Sequence, residues 1–311
     1  MKKVYIPDHE NISGANIWIY KGYKEAWESL GYTAEYYSPN SLTKIKAAIN
    51  SEEYYVMATD WFYKPFHNSS FISEAAKVFL FPQPTNFPEP WGLHSNFISS
   101  LTPKIISEIN EQKNIKLWSF GEVGNEKSKY FPLWKDIETV PLAFDNVSYE
   151  YLEDSKFKFD VCFVGGRANN GFDEKYKIMM THFSAFKDSG LKCGIFVGRN
   201  LTHEQENKLL YNSKVAINIH DAYQRALRLD TNERTFKALG LTGVLVSDDE
   251  GQLERLFPDV KRTNDPKKMV TFVKEYVNMD TERLNSIKKR SRKFILENHT
   301  YVNRVNQLLK M

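Results

Sequence analysis

Short apolar, often β-branched runs alternate with stretches of helical period along most of this chain. Residues 3–6, 33–37, 54–58 and 78–81 read as strands, as do 115–118 and 139–142. Among the stretches between them, Tyr23, Ala26, Trp27 and Leu30 share one helical face that stops at Gly31, and residues 42–49 repeat the period. The pattern then restarts. Runs at 159–164, 193–197, 214–220 and 244–246 are strand-like, and Tyr176, Met179, Met180 and Phe183 have helical spacing, as do 270–277, 284–296 and 302–309. Strands alternating with helices predict mostly parallel sheets covered on both faces. Two such doubly wound α/β halves, joined through a polar link at 145–158, are the economical reading.

The stretch 214–257 predicts a strand–loop–helix–strand unit. Asn232 is placed to cap its helix, Phe236, Leu239 and Leu241 form the apolar side, and Gly240 and Gly243 are expected to break it. Helix N-termini present unpaired N–H groups, so this one can hold a phosphate, and Arg234 adds a fork for it. The glycine-rich run Gly165-Gly166-Arg167-Ala168-Asn169-Asn170-Gly171 follows another strand. It matches neither the dinucleotide fingerprint nor the P-loop. It is either a tight turn with a solvated arginine or a cradle where backbone N–H groups meet phosphate. Gly198-Arg199-Asn200 poses the same choice at the next strand end. Arg167, Arg199 and Arg234 would open on one rim, a set that suits a diphosphate.

Ligands of parallel sheets sit beyond the carboxyl ends of the strands. In the first half that rule collects Asp8, His9, Asn11, Ser13, Asp60, Trp61, Gln83 and Thr85. Asp8, His9 and Asp60 are the titratable side chains among them and the candidates for a general base. Trp18, Trp61, Phe62, Tyr63, Phe87 and Trp91 lie in or beside the loops, either as platforms for rings or as local packing. Asp248, Asp249 and Glu250 follow a strand end and either meet a ligand's hydroxyls or are solvated. The run 288–293 reads as a wet helical face, with an acidic partner as the sharper alternative.

Composition narrows the field modestly. The 311 residues are comfortable for two domains, aromatic content is high at 14%, and a formal charge of +3 does not argue for nucleic acid by itself. No run has the length of a membrane-spanning helix, and a signal-peptide core is lacking at the N-terminus. Cys162 and Cys193, without metal spacing, suit a reducing compartment, so a cytoplasmic location is expected.

Four segments carry a family resemblance: Asp160 to Gly165 (DVCFVG), Ser213 to His220 (SKVAINIH), Asn232 to Gly243 (NERTFKALGLTG) and His299 to Arg304 (HTYVNR). Together they resemble the CgeB-type (spore maturation protein) glycosyltransferases of the GT-B fold, over roughly residues 135–311. A more distant likeness is to phage DNA β-glucosyltransferases. The resemblance implies two Rossmann-like domains facing a cleft, an acceptor-side domain at 1–145 and a nucleotide-sugar domain at 146–290. Helices within 291–311 would cross back to the first domain. It further implies a phosphate loop at 165–171, opening with Gly165 and Gly166, and donor-phosphate contacts from Arg167 and Arg234 with Asn232 beside them; Arg199 joins that donor set from its strand-end position. His220 would lie near the base or ribose. One departure stands out: the family's ribose-binding Glu is replaced by Lys237, and an ammonium cannot accept a hydrogen bond. The contact would then be lost, moved to Glu233, or exchanged for Lys237 on phosphate. The expectation is a metal-independent, hexosyltransferase-like enzyme with no cofactor beyond its donor, most consistent with a UDP-sugar. Its acceptor could be a glycan, a protein or modified DNA. The alternatives are a phage-type enzyme acting on modified DNA bases and a non-catalytic nucleotide-sugar-binding protein.

Overall fold

A computed structural model describes residues 2–8, 15–41, 53–87, 98–122, 128–166, 174–198 and 201–311. The expected helix at 42–49 lies outside them. The chain forms two compact units, one of Met1–Pro141 with Arg304–Met311 and the other of Leu142–Asn303.

The first unit holds six parallel strands: β1 (Lys3–Pro7), β2 (Thr33–Tyr37), β3 (Tyr54–Thr59), β4 (Lys77–Phe81), β5 (Ile115–Ser119) and β6 (Glu138–Thr139). Their order is β2-β1-β3-β4-β5-β6. Strands covered on both faces must be apolar at successive positions, which is why Val56, Met57 and Ala58 of β3 are all buried. The helix Asn16–Ser29 packs Tyr23, Ala26 and Trp27 inward, and the Trp27 indole N–H reaches the Met57 sulfur at 3.3 Å. Gly31, at φ +86°, turns the chain out of that helix. The high aromatic content is spent here: Tyr5, Tyr37, Tyr54, Phe62, Phe66 and Phe71 belong to one core cluster. The last helix, Tyr301–Lys310, returns to this unit from Arg304 onward. Arg304 Nε donates to the Pro141 carbonyl at 2.7 Å, Gln307 to that of Thr139 at 2.9 Å, and Lys77 to that of Leu309 at 2.9 Å.

The second unit holds five parallel strands: β7 (Val161–Gly165), β8 (Cys193–Val197), β9 (Val215–Asn218), β10 (Leu245–Ser247) and β11 (Lys261–Arg262). Their order, β11-β10-β9-β7-β8, repeats the winding of the first unit. In each sheet the first strand lies between the second and the third. Each sheet therefore has one switch point, between β1 and β3 and between β7 and β9.

Three local expectations change. The run 139–142 is a strand only at Thr139: the Val140 N–H still reaches the Ser119 carbonyl at 2.8 Å, but the Pro141 carbonyl goes to Arg304. Gly240 does not break its helix: Glu233–Lys237 continues as a π turn, Ala238–Thr242, and ends at Gly243. Gly240 is there for close approach, since a Cβ would lie 2.8 Å from the Phe144 ring. Asn232 holds the N-cap position, but its side chain makes no cap bond and pairs with Asn218 instead.

Candidate functional site

At the second unit's switch point, β7 ends in Gly165 and β9 in Asn218. Arg234, in the first turn of the helix Glu233–Lys237, lies across both ends. Its Nε donates to the Val164 carbonyl at 2.6 Å, its Nη1 to Asn218 Oδ1 at 2.8 Å, and its Cζ sits 4.6 Å from the Phe163 ring centroid. Nη2 carries no hydrogen bond among the described residues and lies above Gly165, where a Cβ would come within 2.2 Å of it. Glycine at 165 is thus the space the guanidinium occupies. Gly166, with nothing within 4 Å of a Cβ, is open. Burial pulls the Arg234 pKa down against the attraction of Asp221, Glu206, Glu233 and Asp248, and an arginine still remains cationic.

A second cation stands beside it that the helical spacing did not single out. Lys175, in the first turn of the helix Glu174–Lys187, is buried with its Nζ 2.5 Å from Asp221 Oδ1. Burial lowers its pKa, Asp221 opposes that, and nearby Arg234 adds to it. Only its place just past the glycine-rich run could have marked it in the sequence.

Behind these cations runs a buried polar chain. Asn218 Nδ2 donates to Thr235 Oγ1 at 3.0 Å, Thr235 and Thr231 hydroxyls meet at 2.6 Å, and Thr231 Oγ1 reaches His220 Nε2 at 2.8 Å. His220 Nδ1 lies 2.6 Å from Asp248. An ionised carboxylate only accepts, so Nδ1 carries a proton toward Asp248. Burial pushes the Asp248 carboxyl up, but His220 and Arg225 outweigh it and hold it below the usual value. His220 has no exposed surface and both ring nitrogens are engaged, so it braces the strand end. Asp249 meets Arg228 and Arg262, and Glu250 caps the helix Gly251–Leu256.

Lys237 is consumed. Its ammonium lies 2.7 Å from Glu206 and 3.3 Å from Glu233, over the Tyr149 ring at 5.8 Å. Burial depresses its pKa, yet the two carboxylates carry it well above the ordinary lysine value. Burial raises both glutamates, and Lys237 overcomes this at Glu206, which ends below its usual value, but not at Glu233, which stays above. Part of the basic run 288–293 is likewise internal: Lys288 donates to the Ser213 carbonyl at 2.6 Å and Arg292 to that of Leu241 at 2.7 Å.

At the first unit's switch point, Asp60 opens the short helix Asp60–Tyr63 directly after β3. It is 1% exposed, accepts from the Gln83 backbone N–H at 3.3 Å and from the Ser99 hydroxyl, and so pins the proline-rich loop after β4. Burial pushes its carboxyl up to about 7 against those two hydrogen bonds. Asp8 sits at the end of neighbouring β1, its N–H extending the ladder to the Tyr37 carbonyl at 2.8 Å. Phe62, Tyr63 and Phe87 are buried packing, and Trp61 is 74% exposed. His9, Asn11, Ser13, Trp91, Arg167 and Arg199 lie outside the described residues. Among the described residues no cluster of His, Cys, Asp and Glu suits a metal, and no helix is long and apolar enough to cross a membrane.

Residues 158–310 match the family model described as glycosyl transferase-like. No curated protein sequence matches the chain. Among solved structures, an α-glucosyltransferase in complex with UDP and a 13-mer DNA containing a HMU base is similar at a TM-score of 0.64 and 10% identity, covering 100% of this chain and 98% of that one. The E. coli trehalose-6-phosphate protein bound with UDP-2-fluoro glucose gives 0.61 and 8%, covering 99% and 98%. AviGT4, a glycosyltransferase involved in avilamycin A biosynthesis, gives 0.54 and 9%, covering 99% and 96%. The fold is that of the GT-B glycosyltransferases, two parallel-sheet Rossmann-like units, and together with the family match it supports a glycosyltransferase.

Proposed function

We propose that this chain transfers a sugar from a nucleoside-diphosphate donor, with the diphosphate held at the β7/β9 switch point. The observation that carries the reading is the Arg234 guanidinium, fixed by Val164 and Asn218 with Nη2 left over Gly165. Arg234 and Lys175 bring two positive charges to the place where a leaving diphosphate develops negative charge, and such fixed charges can do this work without a metal. Arg167 and Arg199 belong to the same strand ends in sequence, and we assign them to the same task, with Gly166 and Asn232 beside them. In the transfer, an acceptor hydroxyl oxygen bonds to the donor's anomeric carbon. The bond from that carbon to the β-phosphate oxygen breaks, the nucleoside diphosphate leaves with the electron pair, and the hydroxyl proton passes to a base. Asp60, with its raised pKa, suits that base role in an inverting reaction. UDP is the nucleotide favoured, since two of the structural neighbours hold UDP or a UDP-sugar.

A second reading, transfer to a modified DNA base, is favoured by the neighbour crystallised with DNA. A third, donor binding without turnover, is favoured by Lys237, whose ammonium offers the ribose no acceptor.

Thermal shift with UDP, other nucleoside diphosphates and UDP-sugars tests the donor assignment. A ligand at a hundred times its Kd adds about 2.7 kcal/mol of stability. Arg234→Lys keeps the charge and loses the fork, so UDP stabilisation should fall by more than half. Equal stabilisation in variant and parent, or none in either, rejects the assignment. Release of UDP from UDP-sugar separates enzyme from binding protein.

A further inference from the structure

We propose that the acceptor is an uncharged carbohydrate and that Trp61 is the face on which its ring stacks. The inference rests on the glycosyltransferase reading and names the acceptor class for it.

Three aromatic residues stand in a row at the carboxyl end of β3, and they part company. Phe62 and Tyr63 are 4% and 1% exposed, while Trp61 is 74% exposed. A lone exposed aromatic is ordinary on a protein surface. This one is set apart by its place: it follows Asp60 directly, at the switch point where parallel sheets take their ligands. The neighbouring strand β1 leads into the helix Asn16–Ser29, whose first turn carries Trp18, with Lys21 Nζ 6.0 Å from its ring centroid. An indole face left open to water offers a flat apolar surface that matches the C–H face of a pyranose and leaves the sugar's hydroxyls for polar neighbours.

Charge decides between a sugar and a nucleic-acid base, since either would stack. The first unit carries 16 Lys and Arg against 16 Asp and Glu, a net charge of zero. No arginine occurs anywhere before Arg167. Nucleic-acid binding draws most of its affinity from phosphate neutralisation, and arginine is the residue best built for phosphate. The second unit, by contrast, holds all but one of the chain's arginines and the whole +3 excess. The two units thus differ in chemistry, one holding the arginines and the positive excess and suited to a diphosphate, the other of zero net charge and rich in aromatics. An uncharged glycan fits the second, with Trp61 at its switch point.

The test uses the full chain, as wild type and as Trp61→Ala and Trp61→Phe. Each is applied to an array of immobilised neutral oligosaccharides together with sialylated and sulfated ones, and titrated with fluorescent single-stranded and duplex DNA. UDP thermal shift is run in parallel on all three. The expected result is binding to neutral glycans that weakens about tenfold in Trp61→Ala, is largely kept in Trp61→Phe, and leaves the UDP shift unchanged. Binding of DNA or of acidic glycans alone, no neutral glycan bound, or equal glycan binding in all three proteins overturns the proposal. Loss of the UDP shift in the wild type would instead count against the donor assignment, and the array would still report on Trp61.

Discussion

Asp60 and Lys237 show how the same burial has opposite consequences depending on the partner. Asp60 meets only hydrogen-bond donors, so desolvation wins and its carboxyl rises to about 7. Lys237 meets two carboxylates, so attraction wins and its ammonium is retained. Returning a carboxylate to position 237 would gather three acids where Glu206, Lys237 and Glu233 now balance. The sign for Asp60 follows from its raised pKa. The unfolded chain loses this proton near the ordinary value of 3.8, the folded one near 7. Its contribution is therefore fully present below pH 3.8 and declines as pH rises through 7. Thermal midpoints of wild type and Asp60→Asn at pH 5 and pH 8 check this: the wild type should lose ground to the variant at the higher pH. The same offset at both values would mean that Asp60 titrates normally. As the base, Asp60 should also make kcat/KM rise with pH to a plateau above about 7.

At the scale of elements, most strands were legible, because a strand buried on both faces must be apolar throughout. Two further helices are marked by caps rather than by apolar period: Thr102-Pro103 and Thr202 with Gln205 open Pro103–Glu111 and His203–Asn212. The π turn Ala238–Thr242 was not legible, since it depends on what packs beside it. Gly240 admits the Phe144 ring, while Gly243, at φ +78°, would place a Cβ 2.7 Å from the Lys288 backbone. Lys288 and Arg292 then hold nearby carbonyls, which is why a run that reads as a wet face is partly interior. Gly243→Ala combines left-handed strain with that clash and should cost about 3 kcal/mol, a drop of roughly 6 to 12 °C in the unfolding midpoint of its unit. Gly166→Ala, with open space around it, should move the midpoint little. Equal midpoints for the two variants would remove the packing argument.

For the whole molecule, the repeated winding of the two sheets is what makes the site readable. The sequence offered candidate residues at many strand ends, and topology ranked them by showing which ends flank a reversal of strand order. Arg234, Gly165 and Asp60 were legible from strand ends and local residue type. Lys175 was not, because its role depends on Asp221 and Arg234 meeting it across the fold, and neither were the partners of His220, since Asp248 and Thr231 are distant in sequence. The central claim is that the β7/β9 switch point grips a diphosphate. A crystal structure with UDP bound tests it most directly. The diphosphate should lie within about 3 Å of Arg234 Nη2, in the space above Gly165, with Lys175 turned toward it. UDP bound elsewhere, with Arg234 still tied to Val164 and Asn218 and nothing on Nη2, would contradict the account.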